Sequence, residues 1–167
     1  MDTADKSGDP PILLAERRIT SPAFTALFHA GMNLVEETAA YLDGEGRRAS
    51  RELTHVALAA YAQQSMRLST RLMQLASWLL LQRAVAEGEI SAQSAARERV
   101  KIDLKGPPAD EAQQALLPEA LVALIRRSED LQRQIAHFDA ALGAADTARP
   151  NAVASHLGLL RSAFERR

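Results

Sequence analysis

Apolar residues recur at intervals of three and four along three long stretches of this chain, the signature of helices with one buried face. The first stretch opens at Ser21-Pro22. A serine oxygen there accepts a backbone N–H, and proline suits the first helical turn, where its missing N–H costs little. Phe24, Leu27, Phe28, Gly31, Val35, Thr38 and Leu42 then share one face, and Gly44 and Gly46 are expected to end the helix through the left-handed conformation. A charged connector, Arg47–Glu52, follows, with room for a short helical turn. The second stretch runs from about Leu53 to Glu87, where Gly88 stops it, and carries two apolar stripes. Leu53, Val56, Ala57, Ala60, Leu68, Leu72, Leu75 and Leu79 form one. Ala59, Ala62, Met66, Met73 and Leu80 form the other. A helix that is apolar on two sides sits centrally or packs on a partner as well as on its own chain. The third stretch begins near Leu117-Pro118 and ends at Gly143. Leu117, Leu121, Leu124, Ser128, Leu131, Ile135, Phe138 and Leu142 follow a heptad seam that only Ser128 interrupts.

Between the second and third helices, residues 89 to about 101 predict a short helix capped by Ser91. A long connection through Lys105-Gly106-Pro107-Pro108 follows, of a length unusual inside a compact domain. The expected fold is all-α: an antiparallel three-helix bundle with flexible N-terminal and C-terminal segments. Residues 1–19 read as a flexible tail, with Ile19 stapled onto the first helix. Residues 20–143 form the bundle domain, and 144–167 a linker and an amphipathic C-terminal segment. In that last segment Val153, Leu157, Leu160 and Phe164 share a face beside basic residues that include Arg161. Such a segment suits a docking peptide, or packs back on its own bundle.

Composition narrows the chemistry. The chain has 167 residues, with 47% hydrophobic and only 4% aromatic, and its net charge is −1. This balance argues against a generic nucleic-acid-binding surface. The absence of cysteine removes disulfides and thiolate chemistry. The polar N-terminus is unlike a secretory signal, and Trp78–Leu81 is far too short to span a bilayer, so a cytoplasmic location without membrane insertion is expected. His29, His55, His137 and His156 form no ligand motif, and Gly44-Glu45-Gly46 lacks the continuation of a phosphate loop. No catalytic residue, cofactor site or metal site is expected. Glu36 and Glu37 point about 100° apart on a helix, and one of them is expected to pair with Arg67 or Arg71 across the bundle. Arg47, Arg48 and Arg51 either bind an anionic partner or form a solvated connector. The candidate partner contacts are therefore Arg47, Arg48, Arg51, Arg67, Arg71, Val153, Leu157, Leu160, Arg161 and Phe164. The candidate dimer interface is Ala59, Ala62, Met66, Met73 and Leu80.

The blocks Gly31–Gly44, Gly46–Arg51, Ser65–Gln74 and Ala76–Val85 resemble, in order, the regulator of CtrA degradation family of alphaproteobacteria. The resemblance covers residues 22–90 well, is weaker in the third helix and does not cover the tails. It implies a dimeric three-helix bundle without enzymatic activity. It further implies an adaptor role around the ClpXP protease, together with a response regulator and, in some species, a cyclic-di-GMP-binding protein. The cargo would be CtrA or other regulatory proteins, with the C-terminal segment making partner contacts; recruitment of a cytoplasmic protein to a cell pole is compatible with these residues. The other class compatible with the same residues is a dimeric helical scaffold or signalling protein with no proteolytic role.

Overall fold

In a computed structural model, residues 11–147 are described, with side chains placed for 15–145. Their regular structure is helical, in the order α1 (Pro11–Ile19), α2 (Pro22–Asp43), α3 (Glu45–Ser50), α4 (His55–Ala86), α5 (Ala92–Arg99), α6 (Glu111–Gln114) and α7 (Glu119–Thr147). The long helices α2, α4 and α7 pack on one another and enclose the core. Serine starts α2 as expected, and a threonine not singled out from sequence starts α4. Ser21 accepts from Phe24 N at 3.2 Å and Thr54 from Ala57 N at 3.3 Å. Each such cap is worth about 1 kcal/mol. Ser91 likewise caps α5, accepting from Ser94 N.

The packing shows how the three helices run. Phe24 of α2, Trp78 of α4 and Phe138 of α7 meet with ring centroids 5.9–6.3 Å apart. This end of the bundle therefore joins the start of α2 to the later turns of both other helices. Farther along, Glu37 of α2 pairs with Arg127 of α7, while Arg71 of α4 reaches Ser128 of α7. Helix α2 is thus antiparallel to both partners, and α4 and α7 run parallel to each other. A parallel pair needs a connection that returns the whole length of the first helix, about 48 Å for α4 at 1.5 Å per residue. This is the physical reason for the long segment 87–118. It is laid along the bundle as a strap, with α5 and α6 packed on α4.

Three features differ from expectation. Helix α1 lies inside the segment 1–19 read as a flexible tail. It starts at Pro11, packs on α7, α2 and α4, and buries Ile19. Nine residues are too few for periodicity alone to reveal a helix whose stability comes from tertiary packing. Gly44 does not adopt the left-handed region: its φ is −110°, and its N–H reaches Ala40 O and Tyr41 O. Gly46, inside α3, serves close approach instead. A Cβ there would lie 2.6 Å from both the Tyr41 ring and Tyr61 Oη. Gly88, with φ of 74°, is the positive-φ stop that α4 requires. On α4, Val56 is exposed despite its place in the first stripe, while Tyr61, Gln64 and Trp78 are buried.

Candidate interaction surfaces

The second stripe of α4 is the most exposed apolar feature. Ala59 and Ala62 are exposed, and Met66, Met73 and Leu80 are 72%, 68% and 53% exposed. Ala59, Met66, Met73 and Leu80 recur every seven residues, and Ala62, Ser69 and Ala76 fill the intermediate positions. No charged side chain enters this seam before Arg83, and a seam of this kind is what an α-helical partner packs against. The strap runs along the adjoining side of α4, where Met66 borders the recess between them, and leaves these residues exposed within the described chain. The predicted docking residues Val153, Leu157, Leu160, Arg161 and Phe164 lie outside the described residues.

Arg47 and Arg48 are exposed on α3, and Arg51, which follows it, is exposed as well. They sit at the turn between α2 and α4, where Glu45 and Glu52 are also exposed, so the turn carries both signs of charge. Arg67 and Arg71 are elsewhere, on the strap side of α4. The two groups of arginines are therefore separate surfaces.

The expected pairing of Glu36 or Glu37 with Arg67 or Arg71 does not form. Glu37 instead accepts from Arg127 Nη1 at 2.7 Å, an exposed pair, and that hydrogen bond holds the Glu37 carboxyl below its ordinary value. Arg71 turns toward α7, where its Nη1 donates to Ser128 Oγ at 2.9 Å. Ser128 is fully buried and donates in turn to Ile125 O at 2.6 Å. The lone polar break in the third heptad seam is thus the acceptor for an arginine from α4. The nearest carboxylate to Arg71 is Glu129, at 3.7 Å from Nη2. Burial pushes the Arg71 guanidinium below its usual value; Glu129 opposes this, and the neighbouring Arg67 adds to it. Arg71 Nε is buried and donates to no protein group among the described residues.

The strap is fastened at three places. At the end of α5, Arg99 Nε donates to Asp139 Oδ1 at 2.6 Å and Nη2 to Oδ2 at 2.5 Å, while Trp78 Nε1 donates to Asp139 Oδ1 at 2.7 Å. Burial alone would raise the Asp139 carboxyl, but the bonds from Arg99 and Trp78 outweigh it and hold the group below the ordinary carboxylate value. At the middle, Gln132 Nε2 donates to Leu104 O and Lys105 O, and Gln74 Oε1 accepts from Asp103 N. At the far end, Gln64 donates to Gln113, which donates to Gln63. None of these fastenings was among the residues singled out from sequence. Only a polar residue at an otherwise apolar helix position, Gln64, signalled one of them.

A recess of about 340 Å³ remains between α4 and the strap. Arg67, Thr70, Arg71 and Gln74 line it from α4, Gly106 and Pro107 from the strap, and Gln132 from α7. Among the described residues no three His, Asp or Glu side chains gather as a metal site, and no helix is long and apolar enough to cross a membrane.

The class of protein defined by these features is a strapped all-α bundle that presents an uncovered heptad seam and a cationic recess. The chain belongs to the RcdA-like family: the family model described as "Protein of unknown function (DUF1465)" matches residues 15–164. Among solved structures it is similar to the crystal structure of RcdA from Caulobacter crescentus CB15. The two share 44% sequence identity with a TM-score of 0.64, over 76% of this chain and 96% of that one. None of the curated proteins compared with the chain matches it.

Proposed function

We propose that this protein is a non-enzymatic adaptor that brings regulatory proteins, CtrA-like regulators among them, to the ClpXP protease. The single observation that carries the reading is the 44% identity to RcdA across 96% of that chain. The family resemblance in α2 and α4 implies the same role, with a response regulator acting upstream. The physical mechanism is tethering. A bundle that holds the protease machinery on one surface and cargo on another raises the local concentration of cargo, to the millimolar range for short flexible links, without new chemistry.

In this reading Ala59, Ala62, Met66, Met73 and Leu80 form a homodimer interface, which their uncharged seven-residue repeat supports. Arg47, Arg48 and Arg51 form a second contact surface at the opposite end of the bundle from the Phe24–Trp78–Phe138 cluster. Val153, Leu157, Leu160, Arg161 and Phe164 supply an amphipathic docking segment.

The test is proteome-wide protein lifetime after a translation block, in cells with and without this protein. The adaptor reading expects a small set of proteins to become long-lived in its absence, and the same set to be stabilised when ClpXP is inactivated. Unchanged lifetimes at every stage of the cell cycle would overturn it and leave a dimeric helical scaffold.

A further inference from the structure

We propose that the recess between α4 and the strap is a docking site for the carboxylate side chain of an Asp or Glu in an acidic partner segment, held by Arg67 and Arg71. The proposal rests on the adaptor reading only for the identity of that partner.

The charge balance points to an anion. Arg67 is partly exposed and pairs with no acid among the described residues, and Arg71, one helical turn on, has its nearest carboxylate only at 3.7 Å. The side chain of Arg71 is 9% exposed, so its charge sits where water screens it poorly. Two guanidiniums held side by side in such a place repel each other, and a bridging anion removes that repulsion. Asp103, the one acid in the lining, is turned to its own loop, where its Oδ1 accepts from Lys105 N at 2.8 Å and Gly106 N at 3.3 Å.

The hydrogen-bonding groups point the same way. Gln74 and Gln63 both line the recess, and each uses its amide oxygen on another protein group, Asp103 N and Gln113 Nε2 respectively. Among the described residues their amide N–H groups are left for an acceptor. Guanidinium and amide N–H groups together match the two-oxygen fork of a carboxylate.

Three observations favour one negative charge on a polypeptide side chain. Glu129 already offsets part of the Arg71 charge, and Asp110 and Glu111 line a recess that Arg67 also borders, surroundings that suit a monoanion better than a phosphate dianion. Met66 and Pro107 add apolar surface for the stem of the side chain. Arg67 also borders a second recess, lined by Pro108, Ala109, Asp110 and Glu111, so a partner segment that presents a carboxylate here should carry a neutral or basic neighbour beside those acids.

The experiment is an NMR titration of the full chain labelled with ¹⁵N-arginine, following the Arg67 and Arg71 side-chain signals at fixed ionic strength. The probes are acetyl-Ala-Glu-Ala-amide, its Gln counterpart, acetyl-Ala-Ala-Ala with a free C-terminal carboxylate, and inorganic phosphate. The Glu peptide is expected to give saturable shifts with an affinity about tenfold above the Gln peptide, the ratio set by one charge-assisted contact. In R67Q, checked for an unchanged urea melt, that difference should vanish.

Equal response to Glu and Gln, no saturation, or tighter binding of phosphate or of the free C-terminus would each overturn the proposal. In cells, lifetimes that change on deletion of the protein but not in R67Q would exclude this recess as the docking site. A positive titration with no lifetime change on deletion would sink the adaptor reading and leave the recess standing.

Discussion

Removing the carboxylate of Asp139 should cost more stability than removing any exposed acid, and the structure sets the size of the effect. Asp139 accepts three hydrogen bonds, two from Arg99 and one from Trp78. Trp78 is fully buried, so in Asp139→Ala its indole N–H loses its partner away from water, a cost of about 1–3 kcal/mol. The bidentate pair is partly screened, with Asp139 23% and Arg99 29% exposed. Its loss belongs between the roughly 0–1 kcal/mol of surface pairs and the 3–5 kcal/mol of buried ones, at about 1–2 kcal/mol. Asp139→Ala should therefore lose about 3 kcal/mol in urea unfolding, a fall in Tm of roughly 6–12 °C at this size. Asp139→Asn keeps an acceptor for Trp78 and loses only the charge, so about 1–2 kcal/mol is expected.

The pH dependence gives an independent check. The native carboxyl lies below its ordinary value, so its contribution is full above the unfolded pKa of about 3.9 and is lost as pH falls through the native one. The stability gap between the unsubstituted protein and Asp139→Asn should close below about pH 4. A cost under about 1 kcal/mol for Asp139→Ala, or equal costs for the Ala and Asn variants, would refute this account of how the strap is held.

Other outcomes follow from the same geometry. Gly31→Ala should destabilise by about 1–3 kcal/mol although alanine is the better helix former, because the new Cβ would lie 2.3 Å from Leu79 Cδ1 in a fully buried position. A melt that rises instead would show that Leu79 can rotate away. Glu37→Gln removes an exposed pair with Arg127 and should shift stability by no more than about 0.5 kcal/mol, less in high salt. Met66→Glu with Met73→Glu should leave the thermal melt of the monomer near its original value. Light scattering should then show a loss of self-association, and an unchanged mass would remove the seam from the interface.

The three long helices were legible in the chain because periodicity reports which side of a helix is buried. Phe24, Leu27 and Phe28, then Leu68, Leu72, Leu75 and Leu79, then Leu121, Leu124, Leu131 and Ile135 were all read from spacing and all are core. Ser21 and Ser91 mark helix starts by local chemistry, which needs no tertiary information. The uncovered stripe of α4 was likewise visible as a second apolar face.

Direction and pairing were not legible. A heptad seam packs equally well beside a parallel or an antiparallel neighbour, so spacing could not say that α4 and α7 run the same way. That choice decides the rest. It forces segment 87–118 back along the bundle, brings Arg99 to Asp139 and turns Arg71 toward Ser128 rather than toward Glu36 or Glu37. Residues as far apart in sequence as Arg67 and Pro107 then share one recess. Residue spacing and capping chemistry were enough to say which faces are apolar and where helices start. Which charges meet emerged from the packing, because an ion pair depends on distances across the bundle that no local pattern encodes.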